Sequence, residues 1–280
     1  MHVTRENYGG WPNCYRLSNG LIDLVVTTDV GPRIIRFGFV GGENEFKEYA
    51  ETLGQAGGDN WRIYGGHRLW VAPEDRLRTY VPDNERVRFD GRGDCVRLTQ
   101  TADAITGIEK TIEIRVAPDK PEVRVRHTLT NRGANPLIAA PWALSIMAPG
   151  GEAVIPVPPR SFDAGNLLPT SAIALWPYTD LSDPRFGWEA VQVTVRQDET
   201  AESPQKLGFV VPDGWSAYTR KGHRFVKRFE YDPTARYPDF GSNVEVYTNS
   251  EMLELETLGP LSELTPGASV DHVEAWELRP

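Results

Sequence analysis

Met252-Leu-Glu-Leu-Glu-Thr257, running on through Leu258-Gly-Pro260 to Leu264-Thr-Pro-Gly267 and Val270-Asp-His-Val-Glu-Ala-Trp-Glu-Leu278, is the stretch whose reading decides the fold. Apolar and acidic residues alternate with period two in its first part. That places Leu253 and Leu255 on one face of a strand and Glu254 and Glu256 on the other. Gly259-Pro260 ends the strand, Leu264 to Gly267 reads as a turn, and the alternation after Val270 returns the chain to a sheet. Two carboxylates on one strand face either meet water or line a polar cleft, and the pattern is the same for both.

Working outward, the chain repeats this grammar. Asn13 to Ser18, the turn Asn19-Gly20 and Leu21 to Thr28 predict a hairpin, because Asn-Gly supplies the positive φ angles of a tight turn. Ile108 to Val116 alternates strictly, as a strand with one solvated face does. In Val123-Arg-Val-Arg-His127 the histidine shares the parity of the valines and is expected in the core. Val191 to Val195, Lys206 to Val211 and Arg224 to Tyr231 read as further strands, Lys206 and Lys227 as lysines that carry their ammonium groups out to the surface. Glu43 to Asn60 is polar and glycine-rich, a loop over a sheet edge with one helical turn at Glu45 to Thr52. Short strands with turns about every ten residues, and almost no helical periodicity, predict an all-β protein of packed sheets.

Composition narrows the function. The 280 residues carry a formal charge of −9, which argues against nucleic acid as a partner, since phosphate binding needs clustered Lys and Arg. No apolar run reaches the roughly 20 residues that span a bilayer, and the N-terminus lacks the apolar core of a signal peptide, so the expectation is a cytoplasmic protein with no membrane contact. Cys14 and Cys95 have no metal-type spacing and are expected to be unpaired thiols. Eight Trp and ten Tyr supply flat rings of the kind that stack on sugars.

Two stretches gather chemistry. In Gly65-Gly-His-Arg-Leu-Trp70 a glycine pair precedes an imidazole, a guanidinium and an indole, which together suggest a binding site at His67, Arg68 and Trp70. Trp176 to Trp188 collects rings, acids and an arginine between turn residues, with Tyr178, Asp180 and Arg185 as candidate hydroxyl binders. No nucleotide, nucleophile-elbow or metalloprotease motif is present. His67 with Glu74 has no close-spaced partner, so neither a metal nor a cofactor is expected.

Leu253-Glu-Leu-Glu256, the following proline, Leu264-Thr-Pro-Gly267 and the closing strand resemble the C-terminal signature of the galactose mutarotase (aldose 1-epimerase) superfamily. With Gly65-Gly-His-Arg-Leu-Trp70 and Glu245-Val-Tyr-Thr-Asn249, the pattern is most similar to its uncharacterised DUF4380 branch. The resemblance implies a galactose-mutarotase-like β-supersandwich, one domain over residues 1–280, with a smaller jelly roll as the other architecture. It implies a sugar as the partner and Glu256 as the base that opens an aldose ring. The family's usual acid is a histidine after the Leu129-Thr-Asn131 strand, where this chain has Pro141-Trp-Ala-Leu-Ser-Ile-Met147. The acid is therefore expected from His67, Tyr178 or a lysine, with Arg68, Trp70, Tyr178, Asp180, Arg185 and Lys227 binding substrate. A non-catalytic sugar-binding or sensing module is the alternative, and an accessory domain of a lyase or glycosidase a third reading.

Overall fold

The computed structural model describes residues 1–158, 165 and 167–280. Two antiparallel sheets face each other. The first runs, in spatial order, His2–Tyr8, Trp11–Ser18, Ile22–Thr27, Arg33–Phe39, His67–Ala72, Leu137–Met147, Leu253–Leu258, Val244–Thr248, Gln205–Phe209 and Ile173–Leu175, with Ser262–Leu264 on the far end of Leu137–Met147. The second runs Phe186–Trp188, Gln192–Arg196, Glu152–Pro156, Trp215–Arg220, His223–Phe229, Ser269–Arg279, Glu122–Asn131, Ile108–Val116, Cys95–Gln100 and Arg88–Arg92. Among the described residues the one helical element is a 3-10 turn, Asp239–Gly241. No helix among the described residues is long and apolar enough to cross a membrane.

Alternation sets the layers. Leu253 and Leu255 enter the inter-sheet core beside Leu69, Ile112, Val125 and Trp276, and each fully buried leucine is worth roughly 1.5–3 kcal/mol by removal of apolar surface from water. Asn19 closes the hairpin of Trp11–Ser18 and Ile22–Thr27 as its sequence requires: its Oδ1 accepts from Leu21 N and Ile22 N, and Gly20 takes φ +89°.

The polar stretch after Phe39 does more than cover an edge. It forms no helical turn at Glu45 to Thr52. It pairs through isolated bridges, Phe46 with Met147 and Glu48 with Gly65, and sends Phe46 into the core. Gly65 and Gly66 make this passage feasible. A Cβ at Gly65 would lie 2.1 Å from Lys47 O and one at Gly66 2.3 Å from Ile34 O, and both residues have positive φ. The glycines thus serve backbone passage, and His67 to Trp70 that follow them lie on a strand.

Candidate functional site

On a strand, neighbours part company. His67 pairs with Ser145 and Arg68 with Leu144, which in turn opposes Glu256. Arg68, Leu144 and Glu256 therefore share the outer face of the first sheet, while His67, Ser145 and Leu255 share the inner one. The expected pairing of His67 with Glu256 around one anomeric centre is not made, because the thickness of the sheet lies between them.

The outer face carries a cleft of about 260 Å³. Its rings come from Trp61, Trp70, Tyr80, Trp142, Tyr178 and Tyr247, and its charges from Arg68, Glu74, Lys206 and Glu254. Trp142 stands opposite Trp70 on one side and Leu258 on the other, the indoles of Trp70 and Trp142 meeting edge to face at 5.5 Å. A larger groove of about 570 Å³ lies on the outer face of the second sheet. It is solvent-facing, and its three arginines are balanced by Glu230, Asp232 and Asp271. The chemistry concentrates in the smaller cleft.

Charge in this cleft is paired internally. Arg68 lies over the Trp70 ring at 4.0 Å and donates from Nη2 to Glu254 Oε1 at 2.9 Å. Lys206 is buried, not snorkelling: its Nζ sits 2.7 Å from Glu245 Oε2, 3.3 Å from Glu256 Oε2, and 4.6 Å above both the Trp142 and Trp176 rings. Glu256 is fully buried behind it and does not itself line the cleft. Trp142 Nε1 donates to Glu256 Oε2 at 2.8 Å, while Glu256 Oε1, also buried, has no partner among the described residues.

These contacts shift the titrations in opposite directions. Burial opposes the Lys206 ammonium, but Glu256 and Glu245 outweigh it and hold its pKa above the ordinary lysine value. Burial, reinforced by the charge of Glu256, drives Glu245 well above the carboxylate range. Glu254 is raised to about 7, by burial first, with Arg68 pulling against it and Glu256 adding to it. A carboxyl raised in the folded state contributes stability that is full below its unfolded pKa and lost as pH rises through its folded one. For Glu254 that window runs from 4.5 to about 7. Raising the pH from 5 to 8 is therefore expected to cost the wild type more melting temperature, relative to its other titrations, than it costs Glu254→Gln; an identical pH dependence of melting in the two proteins would refute this.

Between the sheets lies a second polar cluster, directly under the floor of the cleft. Lys227 Nζ meets Glu274 Oε1 at 3.0 Å and donates to Leu255 O at 3.0 Å, with both side chains fully buried. Lys227 is therefore neither a surface lysine nor in reach of the cleft. Glu274 also accepts from Trp276 Nε1 at 2.7 Å. Despite burial, the Lys227 ammonium holds its carboxyl well below the usual range. Burial, aided by Lys227, keeps His67 neutral, and burial does the same for His127.

The proton order of this cluster can be read from one end. His127 Nδ1 lies 3.1 Å from the His272 carbonyl, which only accepts, so Nδ1 carries the hydrogen and Nε2 is bare. His67 Nε2 must then donate to it across 2.7 Å, and Ser145 Oγ must donate to His67 Nδ1 across 2.9 Å. Among the described residues, His67, His127 and Glu274 are the one set able to offer three ligand atoms to a metal. Nitrogens bound to one tetrahedral zinc stand roughly 3.3 Å apart, given Zn–N of about 2.0–2.1 Å. The observed spacing is that of an N–H···N hydrogen bond, with Glu274 Oε2 still 4.0 Å from each ring.

The candidates of the Trp176 to Trp188 stretch part company. Tyr178 reaches the cleft. Asp180 is exposed, bound by Ser182 Oγ at 2.7 Å, and does not line it. Arg185 is buried in a two-point pair with Asp183, both bonds 2.8 Å, and donates to Ser203 O. Cys14 and Cys95 are free thiols.

Comparison with solved structures gives the frame for this geometry. Slr1438 of Synechocystis sp. PCC 6803 superposes with a TM-score of 0.67 at 12% identity, covering 97% of this chain and 98% of its own. A galactose mutarotase-like protein from Lactobacillus casei gives 0.63 at 10% identity, with 95% and 100% covered. The fold is galactose mutarotase-like. A galactose mutarotase related enzyme from Lactobacillus acidophilus follows at 0.57 and 9% identity, with 95% and 97% covered. At such identities this mutarotase-like likeness concerns architecture. No protein-family model matches the chain, the DUF4380 branch included, and neither does any curated protein sequence.

Sequence reading named Arg68, Trp70 and Tyr178, which line this cleft, and Glu256, which lies buried behind it. It missed Trp61, Tyr80, Trp142, Lys206, Glu245 and Tyr247, and saw Glu254 only as the neighbour of Glu256. One signal was available: Val244-Glu-Val-Tyr-Thr248 alternates like Leu253-Glu-Leu-Glu-Thr257, so their polar faces align once the strands pair.

Proposed function

We propose that the cleft binds a small neutral sugar and speeds the opening and closing of its ring, as an aldose 1-epimerase-like isomerase does. One observation carries this reading: Glu256, buried directly behind the Trp142 and Lys206 that line an aromatic cleft, keeps an oxygen with no hydrogen-bond donor among the described residues. An orphaned buried acceptor is costly and rare, and a proton-bearing ligand oxygen is what would satisfy it. Glu256 then accepts the anomeric hydroxyl proton as general base.

The ligand is neutral in this reading because each cation of the site already has an acid partner, Arg68 in Glu254 and Lys206 in Glu256 and Glu245, while Tyr80 Oη donates to Glu74. Trp70, Trp142 and Tyr178 offer ring faces to the apolar side of a pyranose, and Arg68 its guanidinium edge to hydroxyls. The solved structures described as mutarotase-like support the same class. No cofactor enters this reading.

A second reading, sugar binding without turnover, is favoured by the Lys206 ion pair that covers Glu256. A panel of aldoses examined by proton NMR exchange between anomers separates the two. Faster exchange of any aldose supports the isomerase; sugar-induced thermal stabilisation with unchanged exchange supports the binding module and overturns the isomerase.

A further inference from the structure

We propose that Glu254 is the acid partner of Glu256, the group that exchanges a proton with the ring oxygen of the bound sugar. This rests on the ring-opening reading above. The two residues are separated by one position on a single strand and share its outer face, which puts their Cα atoms roughly 6.5–7 Å apart. Glu254 lines the cleft, while Glu256 is fully buried just behind the lining residues Trp142 and Lys206. Arg68 fixes Glu254 Oε1, and Oε2 has no partner among the described residues.

The neighbouring groups leave this role to Glu254. No histidine lines the cleft. Tyr178 is pushed up to about 12, mainly by burial, and is a poor proton donor at neutral pH. Lys206 is held in its charged form by two carboxylates. Glu254, raised to about 7, has both protonation states available where the cell works.

The proton count closes. Glu256 takes the proton of the anomeric hydroxyl, the electrons of that O–H bond form the carbonyl, and the C1–O5 bond breaks with its pair on the ring oxygen. Glu254 delivers its proton to that oxygen and becomes a carboxylate beside Arg68. After rotation about C1–C2, closure returns the ring-hydroxyl proton to Glu254, and Glu256 gives its own back to the carbonyl oxygen. Both groups end as they began.

The test is anomer exchange by NMR between pH 5 and 9 with wild type, Glu254→Gln and Glu256→Gln, each confirmed as folded by its melting curve. The expected result is a wild-type rate that falls above about pH 7, tenfold per unit at the limit, and a Glu254→Gln rate at least ~10²-fold lower with that limb gone. If Glu254→Gln keeps the wild-type rate and limb while Glu256→Gln is inactive, the role of Glu254 is overturned and ring opening by Glu256 stands. A wild-type rate that does not fall between pH 7 and 9 overturns it without any variant. Should the wild type speed no aldose, both proposals fail together.

Discussion

Glu256→Gln is expected to slow anomer exchange by about 10²–10⁴-fold, the usual contribution of a positioned general base, while leaving sugar binding within a few-fold of wild type. Glutamine has the same shape and keeps a carbonyl oxygen to accept from Trp142 Nε1, as Glu256 Oε2 does. Lys206 retains Glu245 at 2.7 Å, so the cation is not stranded and the fold should hold. Only the capacity to take a proton is lost. The loss should therefore fall on kcat with little change in KM, the signature of an interaction made in the transition state. Equal kcat in the two proteins would mean that Glu256 is only the counter-ion of Lys206.

Lys227→Met should be the most destabilising change of this kind, costing about 3–5 kcal/mol, because it strands a buried carboxylate. Glu274 sits fully buried against Lys227 Nζ at 3.0 Å, and the same ammonium donates to Leu255 O, between the two cleft glutamates. The sign with pH follows from Glu274, whose carboxyl is now held low by Lys227. Without the lysine its pKa rises, so the deficit of the variant should be largest near neutral pH and shrink in acid, where Glu274 is protonated. The double change Lys227→Met with Glu274→Leu should recover a large part of the loss, since an apolar pair replaces an ion pair at little cost. Chemical denaturation at pH 7 and pH 4 measures all three; a Lys227→Met protein within 1 kcal/mol of wild type at pH 7 would show that the pair is not charged in the core.

Much of the architecture was legible in the chain. Period-two alternation in Leu253 to Thr257 and Ile108 to Val116 fixes which residues face the other sheet, because successive side chains on a strand must point to opposite faces. Asn19-Gly20 marks a turn for a local steric reason, and His127 follows its valines inward. These are short-range constraints, so they survive without knowledge of the partner strands. The strand face of Glu256 followed from the same alternation, since it shares parity with Glu254.

Which groups meet was not legible, since it depends on pairing across long separations. Gly65-Gly66 suggested a loop that would present His67, Arg68 and Trp70 together, but the glycines are there to let backbone pass Lys47 O and Ile34 O. Once the residues after them enter a strand, His67 turns inward to His127 and Arg68 outward to Glu254. Lys206 and Lys227 look alike in sequence. Only the register with Tyr247 and Trp276 sends one beneath the aromatic cleft and the other between the sheets. The sequence by itself determined the strands, their faces and a carboxylate pair on one of them. The tertiary structure decided that Arg68, Lys206 and Trp142 surround that pair and that His67 does not, because a β-sheet separates adjacent residues by its own thickness and joins distant ones by register.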